Sequence, residues 1–187
     1  MSKTVSGTTS QFLWDVTSNL PLLIKDGSTA YIHGPNGMPL EQINGSTPLW
    51  LHHDQLGSTR LITNSSGSTQ ATYSFDPYGN LTTSTGTVAN PLRYAGQYQD
   101  SESGLYYLRA RYYDPTTAQF ISRDPAVVKT REPYAYVGDS PLNGSDPSGL
   151  FGWNDVTNGL KTAAYVVLEG VSIPLYATYY VSNEVLH

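Results

Sequence analysis

The sequence predicts a mainly β fold, built as a meander of antiparallel β-hairpins and followed by a short apolar tail that could be helical. The composition favours strands, with 15 Tyr against 4 Phe among 187 residues and only 13% charged residues. Tyr, Thr and Ser suit the half-buried pleated surface of a sheet. Glycines also recur at intervals of 20, 22 and 25 residues, at Gly37, Gly57, Gly79 and Gly104. Such intervals leave room for roughly two strands of five to eight residues in each unit.

Four hairpins are predicted around these glycines. They span residues 31–43, 49–63, 71–83 and 94–115. In every turn Asp, Asn or Pro accompanies Gly, and these residues supply the backbone angles and side-chain hydrogen bonds that reverse a chain. The predicted turns are residues 34–37, 54–57, 76–80 and 100–104.

The segment "LYYLRARYY" (105–113) alternates in the manner of a single strand. A single strand here would place Arg109 and Arg111 together among aromatic rings on one face. The opposite face is core-like and would carry Tyr106, Leu108, Ala110 and Tyr112.

A change in composition after residue 150 divides the chain into a hairpin region, 1–150, and a tail, 151–187. The tail could begin a helix at a cap formed by residues 154–155. Residues 162–183 are mostly apolar, and these 22 residues are long enough to cross a membrane. Glu169 interrupts them, which favours burial against a protein surface instead.

The charge and the cysteine count exclude several classes of protein. Ten Lys plus Arg against 15 Asp plus Glu give a net charge of −5 without any basic run, so no nucleic-acid partner is expected. Because there is no Cys, a disulfide scaffold and a Cys-based metal site are excluded. No P-loop or dinucleotide glycine pattern occurs, so no cofactor is expected. The stretch "MSKTVSGTTSQFLW" has no apolar core, so no conventional signal peptide is present.

Histidine and serine offer no competing catalytic site. His52 and His53 are adjacent on a predicted strand and point to opposite faces, so they could not easily share a metal ion. A structural role beside the turn at Asp54 is the better interpretation, and no metal site is expected. A pattern of His and Asp partners is also missing around Ser58, Ser101 and Ser122.

Several motifs occur in an order that is specific to one family. They are "LHHDQLGSTRLIT", "YSFDPYGN", "YAGQYQDSESGLYYLRARYYDPTTAQFISRDP" and "PYAYVGDSPLNGSDPSGL". With these motifs, residues 31–150 resemble the RHS-repeat-associated core, which ends the YD-repeat region of Rhs polymorphic-toxin proteins. The family also includes the C components of insecticidal toxin complexes and, more distantly, teneurins. This chain departs from it at Ala118, where the family usually has Gly, and in having only about four repeat units.

The resemblance implies both a fold and a reaction. Family members wind their repeats into a β-shell that encloses a variable C-terminal polypeptide. The core cuts itself from that polypeptide at its last motif, D-P-x-G-L, so the implied scissile bond here is Leu150–Phe151. The implied catalytic residues are Asp124 and Asp146, with Arg111 at the position of the family's arginine.

The implied reaction is chemically reasonable for a pair of aspartates. Two carboxylates that share one proton can act as base on a water and as acid toward the peptide nitrogen. Arg111 could orient one of them or hold it ionised. The expected activity is an aspartyl protease that acts only in cis, with no other enzymatic activity. Each Asp-Pro pair taken alone is ordinary turn chemistry, and the chain has four, at Asp76, Asp114, Asp124 and Asp146.

Two functions remain open from the sequence. The first is toxin delivery or interbacterial competition, in which the core encloses its own tail and releases residues 151–187 as cargo, as a toxin stub or as a segment that contacts a membrane. The alternative is a structural protein whose open strand edges join copies into an extracellular filament or cage without cleavage, with the tail as an assembly segment. The partners are then the tail, repeats N-terminal to this chain, or further copies. Both functions predict a secreted or cell-surface protein, exported without a conventional signal or cut from a larger one.

Overall fold

The structure is a computed structural model, and it describes residues 2–17, 20–125 and 127–150. Within these residues the strands form one nine-stranded and one four-stranded antiparallel sheet. In the first sheet the strands neighbour one another in chain order: β1 (Ser2–Val5), β2 (Thr8–Asp15), β3 (Leu22–Asp26), β4 (Thr29–His33), β5 (Pro39–Asn44), β6 (Thr47–His53), β7 (Thr59–Thr63), β8 (Thr69–Phe75) and β9 (Leu81–Gly86). The second sheet contains β10 (Tyr98–Gln99), β11 (Tyr106–Leu108), β12 (Arg111–Asp114) and β13 (Gln119–Phe120). The predicted meander of antiparallel hairpins is confirmed, and the predicted tail, 151–187, lies outside the described residues.

Helical structure is scarce in the part of the chain that the structure describes. One α-helix, α1, spans Val127–Thr130 there, and short 3-10 turns lie at Pro35–Gly37, Tyr94–Gly96 and Val137–Asp139. None of the helices among these residues has the length and apolar character needed to cross a membrane.

Three of the loops in the first sheet share one geometry. At Asp54, Asn64 and Asp76 the side-chain Oδ1 accepts hydrogen bonds of 2.9–3.1 Å from the backbone N–H groups two and four residues later. The backbone N–H of each donates to the carbonyl oxygen four residues later at 3.0 Å. The turns predicted at residues 34–37 and 100–104 are closed by backbone hydrogen bonds of 2.8 Å. These contacts are local in sequence, which is why turn chemistry predicted the loops at residues 34–37, 54–57, 76–80 and 100–104. The loop at Asn64 was not predicted.

One-residue shifts in pairing register recur along the first sheet. One lies inside β2, between Leu13 and Trp14, and the others lie at the ends of four strands that enter loops, at His33, His53, Thr63 and Phe75. A β-bulge of this kind increases the local twist and re-aims the chain. Four of the five shifts thus mark the point where a strand ends and a loop begins.

The second sheet packs against one loop of the first through buried tyrosines. Three tyrosine hydroxyls donate to carbonyl oxygens of the loop at residues 76–80: Tyr94 to Pro77 (2.8 Å), Tyr106 to Gly79 (3.2 Å) and Tyr113 to Tyr78 (2.7 Å). The rings form an aromatic core with Phe120 and Tyr136, and the centroids of Tyr113 and Tyr136 stack 4.3 Å apart. Tyrosine can bury its ring while its hydroxyl satisfies a loop carbonyl, which explains the excess of Tyr over Phe.

The prediction of one strand over residues 105–113 is wrong. The chain reverses at residues 109–110, so β11 and β12 form a hairpin in which Leu108 pairs with Arg111. Directly paired residues point to the same side of a sheet, so Arg111 lies on the buried side with Leu108. Tyr112, which was expected on the core face, is 43% exposed. The turn contains none of the Gly, Asn or Asp residues that mark a tight hairpin in a sequence.

Replacing Ala118 with Gly should stabilise the fold by roughly 0.5–1 kcal/mol. Ala118 lies between β12 and β13 in the left-handed region, with φ 58°. A Cβ costs about 1–2 kcal/mol in that region, and the greater entropy that Gly loses on folding offsets part of the gain. Urea denaturation of both chains measures the difference. Ala89→Gly is the control, because Ala89 is exposed and lacks a positive φ, so the same change there should destabilise. Equal stability of Ala118→Gly and wild type would contradict the prediction.

Candidate functional site

The structure brings the three predicted catalytic residues together. Arg111 belongs to β12, Asp124 follows β13, and Asp146 lies in the D-P-S-G-L segment. Their exposed fractions are 3%, 3% and 2%, respectively. The Nη2 atom of Arg111 is 4.0 Å from Oδ2 of Asp124 and 3.6 Å from Oδ2 of Asp146. Two buried carboxylates therefore lie beside one guanidinium, although they are 22 residues apart in the sequence.

Arg111 is fixed on three sides. Its strand holds the backbone, its guanidinium carbon lies 3.5 Å from the centroid of the Phe120 ring, and its Nε donates to the Gly149 carbonyl at 2.5 Å. Burial lowers the pKa of Arg111, while the charges of Asp124 and Asp146 act in the opposite direction. An arginine nevertheless remains charged, because its ordinary pKa is above 12. The Nη1 atom is buried and has no hydrogen-bond partner among the described residues.

Asp124 is held where the chain turns into α1. Its backbone N–H donates to the Pro133 carbonyl at 2.8 Å, and its own carbonyl accepts from the Val127 N–H at 3.1 Å. The Thr130 hydroxyl donates to its Oδ2 at 2.9 Å. The same oxygen faces Arg111, so Thr130 and Arg111 together orient this carboxylate.

Asp146 contacts the residue that precedes the predicted scissile bond. Its Oδ1 accepts hydrogen bonds from the Ser148 hydroxyl at 3.0 Å and from the Leu150 backbone N–H at 3.1 Å. The buried Tyr136 hydroxyl forms a hydrogen bond with the Asp146 backbone, and burial chiefly raises the pKa of Tyr136 well above its ordinary value. One carboxylate thus connects Leu150 to the arginine. Phe151 lies outside the described residues.

The glycine of the D-P-S-G-L segment is required by space as well as by backbone angle. Gly149 has φ 69°, and a Cβ at this residue would lie 2.4 Å from the Leu108 carbonyl oxygen and 3.0 Å from the Arg111 backbone nitrogen. Contacts below 3.0 Å to a backbone atom force the backbone to move. Only Gly lets this segment lie directly on the β11–β12 turn.

Sequence reasoning did not single out Phe120, Thr130 and Ser148. Phe120 and Thr130 lie at the site because the fold brings separate segments together, so no local sequence pattern predicts their role. Ser148 carried a signal, because a Ser two residues after an Asp often hydrogen-bonds to it in a turn.

His52 and His53 end strand β6 and precede the loop at Asp54. The His52 ring hydrogen-bonds to the Thr63 hydroxyl at 2.9 Å across β6 and β7. His52 is exposed and His53 is half-buried, as expected for adjacent residues on opposite faces of a strand. Within the described ranges, no group of three or more His, Cys, Asp or Glu side chains is arranged to hold a metal ion.

Known proteins are similar in sequence to this region. The family model of the Teneurin YD-shell matches residues 28–137, a range that includes Arg111 and Asp124. The tRNA3(Ser)-specific nuclease WapA of Bacillus spizizenii is 34% identical over 177 residues, which cover 88% of this chain and 8% of WapA. Salivary gland surface protein 1 of Aedes aegypti is 40% identical over 127 residues, which cover 65% of this chain and 4% of that protein. Toxin protein Tse5 of Pseudomonas aeruginosa is 35% identical over 102 residues, which cover 54% of this chain and 8% of Tse5.

Solved structures share the fold. The TcdB2-TccC3 structure without its hypervariable C-terminal region gives a TM-score of 0.62 at 21% identity, covering 80% of this chain and 8% of that chain. The TcdB2-TccC3-Cdc42 structure gives 0.61 at 20% identity, covering 84% of this chain and 8% of that chain. The present chain thus spans less than a tenth of the length of each of these relatives. The chain belongs to the Teneurin YD-shell family, which confirms its resemblance to the YD-repeat core of Rhs and toxin-complex proteins.

Proposed function

We propose that this YD-shell segment hydrolyses its own backbone between Leu150 and Phe151 and thereby releases the residues that follow. One observation supports the proposal above all. Asp146 accepts a hydrogen bond from the Leu150 N–H and lies 3.6 Å from the Arg111 guanidinium, which also faces Asp124. Asp146 therefore contacts the residue that precedes the bond to be cut, and Asp124 lies beside the same guanidinium.

The proposed reaction uses one carboxylate and one carboxylic acid. The ionised aspartate takes a proton from a water molecule, and the water oxygen bonds to the carbonyl carbon of Leu150. The bond from that carbon to the Phe151 nitrogen then breaks, and the protonated aspartate gives its proton to the departing nitrogen. The products are a carboxyl group on Leu150 and an amino group on Phe151.

Arg111 serves two purposes in this proposal. Its positive charge compensates the negative charge of the ionised aspartate, which would otherwise be costly to bury. Its Nη1 donor lacks an acceptor among the described residues, and the oxygen that becomes negative during attack on Leu150 could take that hydrogen bond. A charged donor fixed in a buried site stabilises such an oxygen more than water does.

The relatives give this cleavage a biological setting. Tse5 carries the name of a toxin and WapA that of a tRNA nuclease, and both are far longer than this chain. The chain is then the closing part of the shell of such a protein, in toxin delivery or competition between bacteria. The residues after Leu150 take the place of the released polypeptide. Delivery to another cell requires a secreted or surface-displayed protein.

Asp124→Asn and Asp146→Asn should each slow the appearance of cleaved chain by roughly 10²–10⁴-fold. Each change removes one proton-transferring group but keeps the size and a hydrogen-bond acceptor. Cell-free synthesis followed on denaturing gels measures the rate. Asp114→Asn is the matched control, because Asp114 also precedes Pro but its Oδ1 accepts from the Thr116 N–H and hydroxyl at 2.8 and 2.6 Å. A wild-type chain that stays whole, or either site variant cut at the wild-type rate, would refute the proposal.

Strand β9 favours a second candidate function, the assembly of copies through a sheet edge. All six of its residues are exposed, and among the described residues it pairs only with β8. An open edge presents unpaired N–H and C=O groups that a strand of another copy could join. Native mass spectrometry and electron microscopy separate the candidates. Discrete small particles fit the shell segment, whereas long filaments that form equally well with Asp146→Asn fit assembly.

A further inference from the structure

The turn between β11 and β12 holds the segment before the proposed scissile bond at three consecutive carbonyls. Three consecutive residues donate the hydrogen bonds: Arg109 Nη1 to the Pro147 oxygen (3.1 Å), the Ala110 backbone N–H to the Ser148 oxygen (3.1 Å) and Arg111 Nε to the Gly149 oxygen (2.5 Å). Residues 147–149 therefore run along residues 109–111 in a fixed register. A slip by one residue would break all three contacts and move Leu150 away from the aspartates.

Arg109 connects this segment to the rest of the molecule. Its Nε and Nη2 atoms both donate to the Pro21 carbonyl, at 3.0 and 2.8 Å, and its Nη1 also donates to the side-chain oxygen of Gln97. Burial lowers the pKa of Arg109 to about 10. Its hydrogen-bond partners within the described residues are uncharged oxygens. The guanidinium thus acts as a multiple donor that joins three backbone segments.

The backbone at Arg109 is unfavourable for an arginine. Its φ is 59°, in the left-handed region where Gly, Asn and Asp are the usual residues of a tight hairpin turn. An arginine at this position is therefore explained by the contacts of its side chain rather than by the conformation of the turn.

We infer that Arg109 is a positioning residue for the self-cleavage, an inference that rests on the proposed function. Arg109 forms no ion pair with Asp124 or Asp146, so it acts through the Pro147 carbonyl and sets where the Leu150–Phe151 bond lies. Its bonds to Pro21 add a second consequence. The hydrogen bonds of Arg109 are complete only after Pro21 has packed beside the β11–β12 turn, so cleavage follows folding.

Arg109→Asn tests the inference, because Asn tolerates a left-handed backbone while its short side chain lacks the guanidinium. In cell-free synthesis we expect its cleavage to be roughly 10–100-fold slower than that of wild type. The dependence of its rate on pH should keep the wild-type shape, since Arg109 does not touch the proton-transferring groups. Arg111→Lys, which alters the charge geometry between the aspartates, should change that shape. Arg109→Asn cut at the wild-type rate would overturn the inference.

Hydrogen exchange provides a readout that does not depend on cleavage. In the Asp124→Asn chain, adding Arg109→Asn should speed exchange of the Gly149 and Leu150 amides at least about tenfold and leave the amides of β6–β8 unchanged. Unchanged exchange at Gly149 and Leu150 would overturn the inference whether or not the chain cleaves itself. If exchange becomes faster there but the wild-type chain never cleaves, the positioning of residues 147–149 by Arg109 is supported and only the proposed function is refuted.

Discussion

Replacing Arg111 with Met should destabilise the fold by about 3–5 kcal/mol and stop cleavage altogether. The change removes the cation that lies 3.6 and 4.0 Å from two carboxylates, each no more than 3% exposed. A buried charge without its partner costs far more than the pair contributed. The hydrogen bond from Nε to the Gly149 carbonyl is lost as well. Urea denaturation measures the change in the free energy of unfolding.

Two further variants show whether the loss of stability comes from uncompensated charge. Arg60→Met is the matched control, since Arg60 lies 3.8 Å from Asp54 but is 40% exposed, and its loss should cost less than about 1 kcal/mol. Adding Asp124→Asn and Asp146→Asn to Arg111→Met removes the stranded charges and should restore most of the stability. A triple variant as unstable as Arg111→Met would show that packing on Phe120, rather than charge, explains the effect.

Gly149→Ala should abolish detectable cleavage and destabilise the fold by roughly 1–3 kcal/mol from overpacking, in addition to the cost of a left-handed backbone. The new Cβ would lie 2.4 Å from the Leu108 carbonyl oxygen, so the segment must lift from the β11–β12 turn. Lifting breaks the hydrogen bond between Arg111 and the Gly149 carbonyl and moves Leu150 away from Asp146. Misplacement of reacting groups by about 1 Å already costs on the order of 100-fold in rate.

Gly104→Ala separates backbone strain from this close contact. Gly104 has φ 75°, similar to the 69° of Gly149, but a Cβ there meets no atom within 4 Å. Gly104→Ala should lower the free energy of unfolding by about 1–2 kcal/mol because of the left-handed backbone, and cleavage should be unchanged. The rate of chain cutting and the urea midpoint are measured for both variants. Normal cleavage by Gly149→Ala would contradict the site geometry.

The sequence predicted the parts of the fold that depend on local contacts. The loops at Asp54 and Asp76 form because one side chain binds two backbone N–H groups nearby, and this is visible in the residues themselves. The β11–β12 turn escaped prediction because Arg109 and Ala110 are unusual at a tight hairpin turn. Tertiary contacts of Arg109 with Pro21 and Pro147 supply what the local sequence lacks.

The site was predictable only in part. The order of motifs pointed to Arg111, Asp124 and Asp146, and the fold places them together. Composition and spacing could not reveal that the D-P-S-G-L segment lies on a hairpin turn, because that contact joins residues 38 positions apart. The hydrogen bond from Arg109 to the Pro147 carbonyl was not predicted for the same reason.

Intact-mass spectrometry of the purified wild-type protein tests the self-cleavage most directly. Self-cleavage at the proposed bond yields two fragments, one ending at Leu150 and one beginning at Phe151. Their masses should sum to that of the uncut chain plus one water, and Asp146→Asn should give the uncut chain of 187 residues. Wild-type protein that shows only the uncut mass after folding, or a cut at any other bond, would contradict self-cleavage between Leu150 and Phe151.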